Sequence, residues 1–117
     1  MDTNKITIYH NSRCSKSRAC LAFIEKTVPA FEIINYLQTP PTFEELKLII
    51  EKLAIKPLAL VRQKEKIWIE NFKNQDLSDD EIIQIMVSNP ILIERPIVIN
   101  NTKGVIARPL ENVQDLI

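Results

Sequence analysis

Apolar side chains recur along the chain with two different periods, and the change from one to the other marks out the elements. Lys5-Ile6-Thr7-Ile8-Tyr9 alternates as a half-buried strand does. From Cys14 to Thr27 the period lengthens, with Leu21, Phe23, Ile24 and then Val28 near helical spacing, so a helix is predicted there. Ala30 to Leu37 is rich in Ile, Phe and Tyr and reads as a second strand. A strand, helix and strand of this length normally form a right-handed parallel crossover.

Two further helices announce their starts. Thr42 can cap the N-terminus of one, with Glu45 three residues on as a capping box requires, and Leu46, Ile49, Ile50 and Leu53 supply its apolar face. Ser78 and Glu81 repeat the signature ahead of Ile82, Ile83, Ile85 and Met86, and that helix should stop near Asn89-Pro90. Beyond this block come two short β-rich runs, Pro96 to Ile99 and Val105 to Ala107. Asn100 to Gly104 joins them as a hairpin in which Gly104 is expected at positive φ. Pro109 suits the first turn of a closing helix carrying Leu110, Val113 and Leu116. The order predicts one α/β domain over residues 1–117, a mixed four-stranded sheet flanked by helices. A helical insertion, approximately residues 40–89, divides an N-terminal βαβ unit from a C-terminal ββα unit.

Composition narrows the class. A chain of 117 residues suits a single domain, and 45% hydrophobic with 26% charged residues is globular rather than disordered. Fifteen Lys and Arg balance fifteen Asp and Glu, which gives no electrostatic reason for nucleic acid or membrane as partner, yet leaves room for arginines gathered in one cleft. Met1-Asp2-Thr3-Asn4-Lys5 leads into the alternating segment and not into an export signal, and no stretch is apolar enough to span a bilayer. The expected location is therefore cytoplasmic, where thiols stay reduced and the two cysteines are reactive or buried rather than bridged. One His and two poorly spaced Cys make no metal site, and no bound cofactor is expected. A monomer is expected as well.

Cys14 falls where the first strand turns into the first helix. Unpaired backbone N–H groups and the positive end of the helix dipole favour its thiolate there, and Arg13, Lys16 and Arg18 add positive charge. The same N–H groups suit a bound oxyanion. A merely buried cysteine fits poorly in a run as polar as Asn11 to Arg18. The spacing to Ser17 is C-x-x-S: the serine can hydrogen-bond the thiolate but cannot resolve a disulfide, so an outside thiol must complete any mixed adduct. Cys20, six helical residues on, would sit roughly 9 Å away between Cα atoms, beyond the ~7 Å a disulfide tolerates. It reads as core packing.

The segment Tyr9-His10-Asn11-Ser12-Arg13-Cys14-Ser15-Lys16-Ser17-Arg18 resembles the active-site segment of glutaredoxin-linked arsenate reductases, the ArsC-like proteins related to Spx. Leu92 to Val98, Tyr36 to Thr42 and Ala107-Arg108-Pro109 resemble further segments of that family in the same order. The resemblance implies a thioredoxin-like fold and reduction of arsenate to arsenite, with glutathione as co-substrate and glutaredoxin as partner. It makes Cys14 the nucleophile, places Arg62, Arg95 and Arg108 around the oxyanion, gives His10 a tuning role, and puts a cis bond before Pro96. Asn11, Ser15, Ser17, Arg18 and Pro96 are its expected substrate contacts. Guanidinium groups bind tetrahedral oxyanions bidentately and stay charged, which lysine cannot match. Ser12 departs from the family, where many members carry proline, and so loosens the turn before the nucleophile. Two other readings share the fold. An Spx-like regulator of RNA polymerase would use C-x-x-C, against which Ser17 argues; a glutathione-dependent thiol oxidoreductase without arsenate specificity would need the same Cys14.

Overall fold

The alternating N-terminal segment forms β1 (Ile6–His10), and the helical period that follows forms α1 (Ser15–Thr27). The structure, a computed structural model, describes residues 5–117; Met1 to Asn4, read above for the lack of an export signal, lie outside them. Strand β2 (Phe31–Asn35) pairs parallel to β1, with Ile8 opposite Ile33. After the insertion, β3 (Ile97–Ile99) returns antiparallel on the other side of β1, and β4 (Gly104–Ile106) pairs antiparallel with β3. The sheet order is β2-β1-β3-β4. A mixed four-stranded sheet flanked by helices is thus the observed architecture.

Each face of the sheet carries its own apolar layer. On one, Ile6, Ile8 and Val98 pack against Cys20 and Ile24 of α1 and against Val113 and Leu116 near the C-terminus. On the other, Ile97, Ile99 and Tyr36 meet the insertion, whose helices are α2 (Phe43–Leu53), α3 (Pro57–Leu60), α4 (Lys66–Asn71) and α5 (Asp79–Ser88). Both capping boxes form: Thr42 Oγ1 accepts from Glu45 N at 3.1 Å while Glu45 Oε1 accepts from Thr42 N at 2.8 Å, and Ser78 with Glu81 does the same. They fix where α2 and α5 begin, and α2 then buries Leu46, Ile49 and Ile50.

Two expectations need correction. Gly104 does not take a positive φ, and Asn100 closes the hairpin instead, its Oδ1 accepting from Thr102 N at 2.9 Å and Lys103 N at 2.7 Å. The need for glycine is steric, because a Cβ at position 104 would stand 2.8 Å from Ile99 Cγ2 and 3.2 Å from Leu53 Cδ2. The closing α-helix is a 3₁₀ segment, Leu110–Asp115, with Pro109 just before it. Leu110, Val113 and Leu116 are spaced by three, which a helix of three residues per turn brings to one side, and Val113 and Leu116 are buried there.

Candidate active site

Cys14 is the N-cap residue of α1, reached from β1 through a short loop that internal bonds hold in place. Cys14 N donates to Asn11 O at 3.0 Å, Arg13 N donates to Asn11 Oδ1 at 2.9 Å, and Arg18 Nη1 reaches back to Ser12 O at 2.9 Å. These bonds do for the loop what a proline at position 12 would otherwise do by restricting φ. Arg18 is therefore a brace on the loop, and it is exposed.

Ser17 is fully buried, and its role differs from the expected one. Its hydroxyl accepts from Asn11 N at 3.0 Å and lies 2.6 Å from His10 Nδ1, so it ties the end of β1 to the first turn of α1. The hydroxyl is occupied; the backbone amides of Ser17 and Lys16 face the sulfur instead. His10 is also buried, and burial, with the charge of Arg18, lowers its pKa below 6.5. Its described hydrogen bond is to Ser17, which links it to the turn that carries Cys14. Ser15 is exposed at the first position of α1.

Burial would push the Cys14 thiol up, but hydrogen bonding from Arg95, from the Ser17 and Lys16 amides and from Arg108 outweighs it and lowers the pKa from 9.0 to about 7. Arg108 makes the contact with hydrogen-bond geometry, Nη2 to Sγ at 3.4 Å, whereas Arg95 exerts the larger pull on the thiol. The two arginines are coupled, since Arg108 Nε donates to Arg95 O at 2.7 Å. Each stands before a cis proline, Pro96 and Pro109. Cys20, by contrast, lies in the core and burial pushes its thiol up to about 11.

Two donors of Arg95, Nε and Nη1, are buried without a hydrogen-bond partner, and so is the hydroxyl of Tyr36. A buried guanidinium edge left open beside a thiolate is a place for an anion. Arg62 arrives by a different route. A bridge between Val61 and Ile93, with Arg62 N donating to Leu92 O and Glu94 N to Leu60 O, lays the insertion alongside the segment that carries Arg95. The Arg62 side chain is held by carboxylates, Glu65 at 2.8 Å and Glu94 at 3.8 Å, with no contact to the sulfur among those described. Its charge is felt at Tyr36, as are those of Arg95 and Cys14. The structure thus brings Cys14, Arg95, Arg108, Asn11 and Pro96 together, sets Arg62 near them in an ion-paired state, and leaves Arg18 and Ser15 at the rim.

Sequence reasoning missed Glu65, Glu94 and the Tyr36 hydroxyl. Glu65 could have been found from its i,i+3 spacing to Arg62; Glu94 could not, because the Val61–Ile93 bridge that brings it near is non-local. A cleft of about 270 Å³ opens beside the loop, bounded by His10, Asn11, Arg13, Asn35 and Gln38. Among the described residues no cluster of three or more His, Cys, Asp or Glu could hold a metal ion.

Fold and site together define a thioredoxin-like protein with one activated thiol set between guanidinium groups. Comparison with known proteins gives the family. The ArsC family model matches residues 9–116. An arsenate reductase of Neisseria meningitidis is 41% identical over 94% of this chain and 96% of its own length, and one of Escherichia coli strain K12 is 38% identical over 97% and 82%. The solved structure titled arsenate reductase from Vibrio cholerae superposes with a TM-score of 0.93 at 40% identity, covering 99% of this chain and all of its own. The chain belongs to the ArsC family.

Proposed function

We propose that the protein is an arsenate reductase, an oxidoreductase that converts arsenate to arsenite through Cys14 with glutathione and glutaredoxin as reductants. One observation carries the reading: a thiol lowered to about 7 lies beside an arginine whose Nε and Nη1 are buried and unpartnered. The relatives named above point the same way.

In the first step the Cys14 thiolate attacks arsenic(V), an S–As bond forms, one As–O bond breaks, and the departing hydroxyl takes a proton and leaves as water. Arg95 and Arg108 hold the remaining oxygens. A glutathione thiol then bonds to the Cys14 sulfur; the S–As electron pair stays on arsenic, which leaves as arsenite, and the thiol proton passes to it. The mixed disulfide between Cys14 and glutathione is cleared by glutaredoxin, because Cys20 is buried in the core and offers no internal thiol. Such chemistry belongs in a reducing cytoplasm. Among the described residues no helix is long and apolar enough to cross a membrane.

The test is arsenate-dependent NADPH oxidation with glutathione, glutaredoxin and glutathione reductase. Wild type and Cys20→Ser should turn over, Cys14→Ser should be inactive, and Arg95→Ala strongly impaired. No arsenate-dependent rate in wild type would refute the proposal, and reduction of glutathionylated substrates would then identify a general thiol oxidoreductase.

A further inference from the structure

Tyr36 lies in the loop just after β2, only 1% exposed, in the apolar layer that joins the sheet to the insertion. Its ring packs there as any phenylalanine would. The hydroxyl is the anomaly: it is buried without a partner of hydrogen-bond geometry. A buried O–H with nothing to bond bears its full desolvation cost, and a phenylalanine would fill the same space without it. Asn11 lies close enough to act on the hydroxyl, but its Oδ1 is already engaged by Arg13 N, so what it can offer is its amide N–H to the hydroxyl oxygen, and the hydroxyl's own proton is left without an acceptor.

The surroundings say what the hydroxyl faces. Tyr36 packs in one layer with Val61, Ile93 and Ile97, which stand within two residues of Arg62 or Arg95 in the chain, and the hydroxyl feels the charges of Arg95, Arg62 and Cys14. Two of the buried donors of Arg95 are likewise open. Among the described residues the buried side-chain donors without a partner therefore number three, on two side chains that sense each other's charge. Burial raises the Tyr36 pKa, so the group keeps its proton and acts as a neutral donor.

We infer that the Tyr36 hydroxyl is a substrate-binding group that donates a hydrogen bond to one oxygen of the tetrahedral oxyanion held by Arg95. The inference rests on the arsenate reading above and deepens it. The hydroxyl adds directional recognition without adding charge, and its bond to the anion relieves the cost of its isolation, which turns that cost into binding selectivity.

The experiment compares wild type with Tyr36→Phe in two measurements, the thermal midpoint with and without arsenate and the coupled assay at varied arsenate and varied glutathione. Removing an unpartnered hydroxyl should leave the arsenate-free midpoint unchanged or raise it. The arsenate-induced rise of the midpoint should shrink, and kcat/KM for arsenate should fall about 10- to 100-fold, as expected for one hydrogen bond to a charged group, with KM for glutathione unmoved. A lowered arsenate-free midpoint together with an unchanged arsenate response would overturn the inference and make Tyr36 a packing residue. A wild type that neither shifts with arsenate nor turns it over would overturn the arsenate reading and the inference with it, whereas a responsive wild type matched by an equally responsive Tyr36→Phe overturns the inference alone.

Discussion

If the guanidinium groups, and not the helix terminus alone, hold Cys14 as a thiolate, then Arg95→Ala must raise its pKa. The wild-type thiol is lowered from 9.0 to about 7. Those two units correspond to about 2.7 kcal/mol. Burial opposes the lowering, so the four favourable donors together contribute more than the net figure. A hydrogen bond to a charged group contributes about 1.5–3 kcal/mol, so losing Arg95 should move the midpoint up by roughly one to two units, to about 8–9. At pH 7 the thiolate fraction, and with it the rate of alkylation by iodoacetamide, should fall roughly 5- to 50-fold. The assay is the alkylation rate against pH, followed by intact mass; Cys20 is wholly buried and should not compete. Arg108→Ala should shift the midpoint in the same direction by less, because Arg95 has the larger pull. A midpoint that stays near 7 in both Arg95→Ala and Arg108→Ala would refute the reasoning and assign the thiolate to the Ser17 and Lys16 amides.

Cys20→Ala should cost about 1 kcal/mol of stability in urea titration by leaving a small void, with the Cys14 alkylation profile unchanged. Gly104→Ala should destabilise by about 1–3 kcal/mol, because the new Cβ must displace Ile99 Cγ2 and Leu53 Cδ2, and the loss should be smaller in an Ile99→Leu background, which lacks that methyl. His10 titrates below 6.5 when folded, so between the two values the unfolded chain binds more protons. Stability should therefore fall as pH drops through 6.5 and stop falling below the folded value, and urea midpoints at pH 7.5 and 5 should differ more in wild type than in His10→Gln.

What could be read from the chain alone follows the range of the interactions. The capping boxes at Thr42 and Ser78 are local, each closed within three residues, and both form. The placement of Cys14 at the head of α1 needed only the change of period after Tyr9, and it too is local. Gly104 was misread because glycine in a hairpin usually answers to φ, whereas here it answers to space, taken first by Ile99 across the hairpin and then by Leu53 on α2, a contact no local pattern encodes. Arg62, Arg95 and Arg108 come from three separate segments, and only the family resemblance gathered them. The resemblance gave no sign that Arg62 is ion-paired: Glu65 lies within reach of local spacing, but Glu94 reaches Arg62 only through a bridge between residues 61 and 93.

The serine of the C-x-x-S spacing links the fold to the chemistry more closely than a missing second cysteine suggests. Ser17 accepts from Asn11 N and bonds His10, which locks the end of β1, the loop and the first turn of α1 into one unit. That lock sets the Ser17 amide toward the Cys14 sulfur, so the hydroxyl contributes to thiolate stability through the backbone it fixes. A cysteine at position 17 would be a weak acceptor for both bonds, so adding a resolving thiol there would loosen the loop that activates the nucleophile. In the chemistry proposed above, with Cys20 shut in the core, the same serine that organises the site would leave Cys14 dependent on a thiol from solution. The monothiol chemistry proposed for this chain would then follow from how the loop is held.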